Sequence, residues 1–426
     1  MTIPVTAEEG PRPTGSRPSV RRSSTAITAA SVVVALSTFL VQWAVGRFTT
    51  AELTAEFLVY WALLFAAFGV VGGVRNETTR AVGSARRSSP GQGQTPARAM
   101  SAALVVGGCG ALLLLVTAGL WADRLVPSTT PAIIPVIALS VLLYACHVTV
   151  LGALSGRESW GHMSAVMTAE AVLRLVLVGG VLLIGGGLLP LELAAAVSAL
   201  TWAGMLAFSP EIRRAAAART DVGLGRLLNN SGYTVTASVA SSVLITGFPV
   251  LMQLTSRDAD AVVLAGMILA ISLTRSPIMI PLQAFQGYAI VAFLRSEQHR
   301  LRALAHPLGL LAALGTAAAL VAWLLGPWIM DLLFAGRYEV SGGTFAGLMI
   351  AAATLAMLTL TGTASLADSA HVGYTTGWIV AALVAAALLL LPLPLPERSV
   401  IALIAGPVVG MAVHLATLGR GARTRS

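Results

Sequence analysis

The stretch LTRSPIMIPLQAFQGYAIVAFLR, Leu273–Arg295, sets the terms for reading the rest of the chain. Arg275 stands inside an apolar run. Pro277 and Pro281 follow it, and Gln283, a glycine and a tyrosine lead to a basic end. A helix that only had to cross a bilayer needs none of these residues. Polar side chains and helix breaks at membrane depth face protein or water, and they mark pathways. The stretch therefore reads as one wall of a path through a membrane, with the two prolines as an expected kink or unwound turn.

Composition agrees with a membrane setting. The chain has 426 residues, of which 56% are hydrophobic and 11% charged. A soluble domain carries roughly 25% charged residues, so lipid is the main solvent here. The length suits about a dozen spans of ~20 apolar residues each, joined by short loops. No region is long and polar enough for a separate catalytic domain, so no enzyme is expected. All 27 basic residues are arginine. The formal charge of +9 lies in short loops between apolar runs, which fits membrane topology and not nucleic acid. Cys109 and Cys146 sit in separate apolar runs and suggest neither a disulfide framework nor a metal site.

Twelve apolar runs follow one another, at about 24–46, 57–74, 100–121, 132–154, 163–184, 191–208, 233–254, 261–285, 308–328, 344–366, 374–391 and 400–418. They divide the chain into a disordered cytoplasmic tail (1–23), a six-helix bundle (24–209), a basic linker (210–228), a second six-helix bundle (229–419) and a short tail (420–426). With twelve spans, twenty arginines fall on one side of the membrane and five on the other, while Arg174 and Arg275 stay inside spans. That bias places both termini in the cytoplasm. A weak internal repeat relates span one, which ends near Gln42, to span seven, which ends near Gln253. Spans two and eight both run through Phe and Gly into a basic end.

No catalytic set is present: no nucleophile elbow, P-loop, metal-ligand spacing or paired carboxylates in a polar loop. His147 and His414 lie in spans and read as partnered packing residues before proton relays. Glu170 and Arg174 are spaced i, i+4, which puts them on one helix face. They form either an ion pair that offsets its own cost or a wall of a central cavity in which Arg174 meets an anion. Arg275 has no acid within a helical turn, so its partner comes from another helix, water or substrate. Its planar fork suits phosphate, which makes it the stronger candidate for an anion contact. Gln42, Gln253 and Gln283 are further candidates for lining the cavity. Arg75, Glu77 and Arg80, at the end of span two, read as topology determinants or as a cytoplasmic gate.

At these residues the chain resembles the polysaccharide-export (Wzx-type) branch of the multidrug/oligosaccharidyl-lipid/polysaccharide (MOP) flippase superfamily. The carrying stretches are GGVRNETTRAV, GALSGRESWGHMSAVMTAEAVLRL, GFPVLMQLTS, LTRSPIMIPLQAFQG and GPWIMDLLFAGRYEVSG, in order over roughly residues 30–420. The resemblance implies an all-α polytopic protein, with two six-helix bundles around a central cavity. It implies a lipid-linked glycan moved across the bacterial cytoplasmic membrane by alternating access, with no enzymatic step and no cofactor. Expected partners are that substrate, membrane lipids and polysaccharide-assembly proteins, but not nucleic acid. Three other readings stand beside it. An ion-coupled multidrug exporter of the same fold would need a buried carboxylate, and Arg174 can neutralise Glu170. A non-transporting scaffold of cell-envelope assembly would tolerate loss of the intramembrane arginines. A membrane glycosyltransferase or ligase would want acidic or His-rich extracytoplasmic loops of substantial length, and the loops here are too short.

Overall fold

The computed structural model describes residues 17–87, 96–256, 260–295, 300–367 and 371–423. Side chains of 17–24, 237, 279–303, 367, 371 and 421–423 lie outside the description. Among the described residues the chain is helical, with no strand beyond one isolated bridge, Arg98 to Arg219. The helices are α1 (Arg17–Phe48), α2 (Ala51–Arg87), α3 (Ala99–Leu125), α4 (Thr130–Gly156), α5 (Trp160–Leu183), α6 (Leu188–Val197), α7 (Thr201–Phe208) and α8 (Pro210–Ala216). They continue with α9 (Leu224–Ile245), α10 (Phe248–Thr255), α11 (Ala261–Arg295), α12 (Arg300–Phe334), α13 (Gly342–Ala367), α14 (His371–Leu388) and α15 (Leu395–Arg423). Among the described residues, ten helical stretches, α6 and α7 taken together, are long and apolar enough to cross a membrane, and the bent pair α9–α10 brings the number to eleven if it is taken as one span. The eleventh run, at about 374–391, falls on α14, whose apolar stretch is shorter.

Every backbone polar group at membrane depth must be bonded within the protein, which is why these apolar runs are helices. The exceptions are local. Span six is α6 and α7 joined through a 3-10 turn at Ser198–Leu200. Span seven breaks at Thr246–Gly247 and bends by 64° between α9 and α10. The tail expected at 1–23 is helical from Arg17 onward, as the start of α1. The linker expected at 210–228 contains α8 and the first turn of α9, and α15 carries the helix to Arg423.

The packing repeats between the halves. α1 packs on α5, and in the second half α9 packs on α14. α2 packs on α4 as α11 does on α13, and α3 packs on α4 as α12 does on α13. Spans six and twelve each close their half against its fourth and fifth spans. These matching pairs make two six-span bundles and give the weak sequence repeat a structural counterpart. Large apolar side chains such as Leu113 and Leu324, at 64% and 66% exposure, face outward. Faces of this kind are solvated by lipid tails.

The two bundles meet along two seams. At one, α2 lies against α9, and Gly73 brings the helices within backbone contact of each other: a Cβ at Gly73 would sit 2.7 Å from the Thr234 carbonyl oxygen. At the other, α1 lies beside α11 and the end of α12. The face opposite the arginine-rich loops is sealed along this second seam. Trp43 Nε1 donates to the Leu333 carbonyl at 3.1 Å, and Tyr338 Oη donates to the Gly46 carbonyl at 3.2 Å. Arg337 donates to the carbonyls of Gly46 and Thr49. Ala335 and Gly336, at φ +55° and +71°, make the left-handed turn that aims Arg337 and Tyr338 back at α1.

On the arginine-rich face, α8 is pinned to the α4–α5 corner. Glu211 accepts from Arg157 at 2.9 Å and from Ser159 at 3.0 Å. The Arg157 hydrogen bond, followed by that of Ser159, lowers the Glu211 carboxyl to about 2. A depressed folded value means that the tie is present above the ordinary carboxyl range and is lost as pH falls through the folded value. A spin label at Ala216 is therefore expected to keep its mobility down to about pH 4 and to gain mobility toward about pH 2. Glu211→Gln should show that added mobility already at neutral pH. Equal mobility of the two proteins at neutral pH would show that the tie does not hold α8.

Candidate functional site

A cavity of about 490 Å³ lies between the bundles. One side is α1 from Ile27 and Thr28 up to Gln42. The other is the α9–α10 break together with α11 from Ile268 to Ser276. Leu58, Trp61, Ala62 and Phe65 of α2 form its back. Among the described residues lining it, Arg275 carries the one formal charge and there is no acidic side chain.

The position of Arg275 follows from the break in span seven. In a continuous helix the Ile245 carbonyl would accept from the N–H four residues on. That residue is Pro249, which has no N–H. The carbonyl is left open at membrane depth, where an unbonded group is costly. Arg275 Nη1 donates to it at 2.6 Å. The partner missing from the local sequence is thus a helix C-terminal carbonyl on a neighbouring span, the end of a helix that favours a cation. One donor of the guanidinium is used, and no carboxylate pairs with it among the described residues. The fork retains donors on the cavity side for an anion.

Glu170 and Arg174 lie elsewhere. Arg174 is 1% exposed, and its Nη1 donates to Glu170 Oε1 at 2.5 Å. Ser198 from the 3-10 turn donates to the same oxygen at 3.2 Å. The Arg174 guanidinium lies 4.8 Å from the Phe65 ring centre and 5.5 Å from that of Trp61. It therefore stands behind the rings that line the cavity and outside the lining itself. Of the other candidates, Gln42 lines the cavity and is 9% exposed. Gln253 lies at the opposite face and donates to the Arg124 carbonyl at 3.1 Å. The side chains of Gln283 and Pro281 lie outside the described residues. Helix α11 is continuous through Pro277 and Pro281, without an unwound turn.

The group at the end of α2 is a junction. Glu77 is buried and accepts from Arg80 at 2.6 Å and from Asn230 of α9 at 2.9 Å. Arg80 also reaches Asp221 at 3.0 Å. Arg75 contacts Met163 Sδ at 3.6 Å. These bonds tie α2 to the linker and to α9.

Two features escape the sequence reading. Trp61 and Phe65 bring an aromatic face to the cavity. The signal was there in FLVYWALLFAAF, where rings recur at i, i+4 and i+8 from Phe57. Glu192 is a further buried acid, beside Glu77 and Glu170. A span six drawn from Leu191 puts it at the margin, whereas α6 begins earlier, at Leu188.

Solved structures with this arrangement are transporters. The chain aligns with an inward-facing multidrug resistance MATE family transporter of the MOP superfamily, with TM-score 0.65, 14% identity, and coverage of 94% of this chain and 99% of that one. It aligns also with a MOP superfamily transporter from Pyrococcus furiosus, with TM-score 0.60, 12% identity, and coverage of 94% and 95%. The fold is thus that of the MATE transporters, and the chain is a multi-pass membrane protein. No protein-family model matches the chain. In sequence it is 35% identical over 408 residues to the uncharacterized protein Rv1510 of Mycobacterium tuberculosis, covering 96% of this chain and 94% of that one. It is 36% identical over 398 residues to Mb3654 of Mycobacterium bovis, covering 92% and 90%. Near-complete coverage at this identity makes the chain a member of the family that contains Rv1510 and Mb3654.

Proposed function

We propose that this protein is a flippase that moves a lipid-linked oligosaccharide or polysaccharide precursor across the bacterial cytoplasmic membrane by alternating access. The observation that carries the reading is the charge of the cavity: its described lining holds Arg275 and no acid. A phosphate-linked head group is an anion, and a guanidinium with free donors in a low-dielectric cavity is a receiver for it. The volume lies within the ~300–1,000 Å³ of ligand pockets in general. The lipid tail remains in the bilayer, and polysaccharide-assembly proteins are the partners that would take the product.

The same observation weighs against export of cationic drugs. That activity wants a carboxylate in the cavity, and Glu170 is bound to Arg174 behind the cavity wall. The P. furiosus transporter offers a parallel, since reverse polarity of its binding pocket is taken to suggest a different function for that protein. Both termini are placed in the cytoplasm by the arginine bias. On that orientation the sealed face is the outer one.

Arg275→Ala should lower export of surface glycan at least tenfold, about 1.4 kcal/mol of lost interaction, with protein in the membrane at the normal level. Arg275→Lys should fall between, because it keeps the charge and loses the fork. Normal glycan export by Arg275→Ala would remove the residue from the mechanism and support the scaffold reading. Drug accumulation in cells carrying that variant would support the exporter.

A further inference from the structure

We propose that Trp61 and Phe65 form a ring-stacking subsite for a hexopyranose, beside the anion subsite at Arg275. The proposal rests on the cavity receiving a glycan head group, and it adds the residues that recognise the sugar.

Helix α2 carries a run of rings with two fates. Phe57, Tyr60 and Phe68 are 0–1% exposed and belong to the core. Trp61 and Phe65 line the cavity as well, Trp61 as a buried ring at 5% exposure and Phe65 as a half-buried one. Their rings are stacked on each other with centres 4.5 Å apart, and Phe65 meets Phe68 edge-on at 5.5 Å. Arg174 packs against both rings and is itself fixed by Glu170. Such rings are held in place before a ligand arrives, so little conformational entropy is lost on binding. A phosphate group gains nothing from an aromatic wall. A sugar ring does: its C–H face lies on the negative face of an aromatic ring, while its hydroxyls remain free for polar neighbours such as Gln42.

An aromatic wall also serves for binding cations. Here that use is taken up inside the protein. The Arg174 guanidinium, paired with Glu170, already takes the cation position 4.8 Å from the Phe65 centre, so that contact is filled from within the protein. The wall thus favours a neutral ring over the ligand class that the anion subsite also rejects. Arg174 is a positioning residue, since it touches the rings and not the cavity.

The test is calorimetric titration of the purified full-length protein with inorganic phosphate, with the 1-phosphates of glucose, mannose and galactose, and with the corresponding methyl hexosides. At least one hexose 1-phosphate should bind about tenfold more tightly than inorganic phosphate. Phe65→Leu should bring that ratio toward one and leave phosphate affinity in place. The charge-free pair Glu170→Met/Arg174→Met should lower the ratio without changing phosphate affinity, whereas a general structural defect would weaken both ligands. A wild-type ratio of one, or a ratio unchanged in Phe65→Leu, overturns the subsite. If a methyl hexoside binds and that binding is lost in Phe65→Leu while phosphate does not bind, the anion reading fails and the subsite stands. If no probe binds, both fall.

Discussion

Glu170→Ala will cost the folded protein about 3–5 kcal/mol, the penalty for stranding one member of a buried ion pair. Arg174 is 1% exposed, and its Nε already lacks a partner. With Glu170 gone, the ring faces of Trp61 and Phe65 would be its remaining compensation, and a desolvated cation–π contact is worth about 2 kcal/mol. That offsets only part of the loss. The variant should therefore unfold at a markedly lower temperature in detergent. Replacing both residues, as Glu170→Met/Arg174→Met, should recover most of the stability, because two apolar side chains of similar volume need no partner. A Glu170→Ala protein with an unchanged melting temperature would show that water reaches Arg174.

The second large effect is expected at the tight seam. A Cβ added at Gly73 meets the Thr234 carbonyl carbon and the Val235 nitrogen at 2.8 Å, besides the Thr234 oxygen. These are backbone atoms of α9, and they cannot turn aside. At Gly46 an added Cβ meets side chains instead: Phe334 at 2.9 Å and Leu269 at 3.0 Å. Side chains yield by rotation, whereas helices yield only by moving apart. Gly73→Ala should thus cost at least the ~1–3 kcal/mol of an overpacked core, and more than Gly46→Ala. Thermal unfolding of the two single variants decides the matter. A smaller loss at Gly73 than at Gly46 would mean that the bundles slide freely along α2 and α9.

The spans could be read from the chain because apolar length is a local property, and the twelve runs fall on helices, with runs six and seven each divided between two. The site could be read only in part. Spacing placed Glu170 and Arg174 on one face of α5, yet spacing does not say what that face meets. It meets Trp61 and Phe65 of another helix. Arg275 could be marked as lacking a local partner, because the absence of acids nearby is a sequence fact. Its actual partner depends on a proline four residues beyond Ile245 and on the approach of α9 to α11, and only the first of these is written in one dimension. Gln253 was paired with Gln42 by the internal repeat. The break in span seven separates them, since Gln253 is carried by α10 to the far face while Gln42 stays in the cavity. A repeat fixes equivalent positions in two bundles, and a bend in one of them then sends those positions to different depths.

The seal along the second seam has a consequence for how this protein can vary. Each hydrogen bond that closes it ends on a main-chain carbonyl: Leu333 for Trp43, and Gly46 and Thr49 for Arg337 and Tyr338. Main-chain acceptors are the same whatever side chain they carry. The closed state is thus specified by the donors alone, and the acceptor positions are free to change wherever packing allows. Compensating pairs of substitutions should be missing across this seam when homologous chains are aligned, while donor loss at Trp43, Arg337 or Tyr338 should have no second-site remedy on the other side. A contact of this kind is inherited one residue at a time.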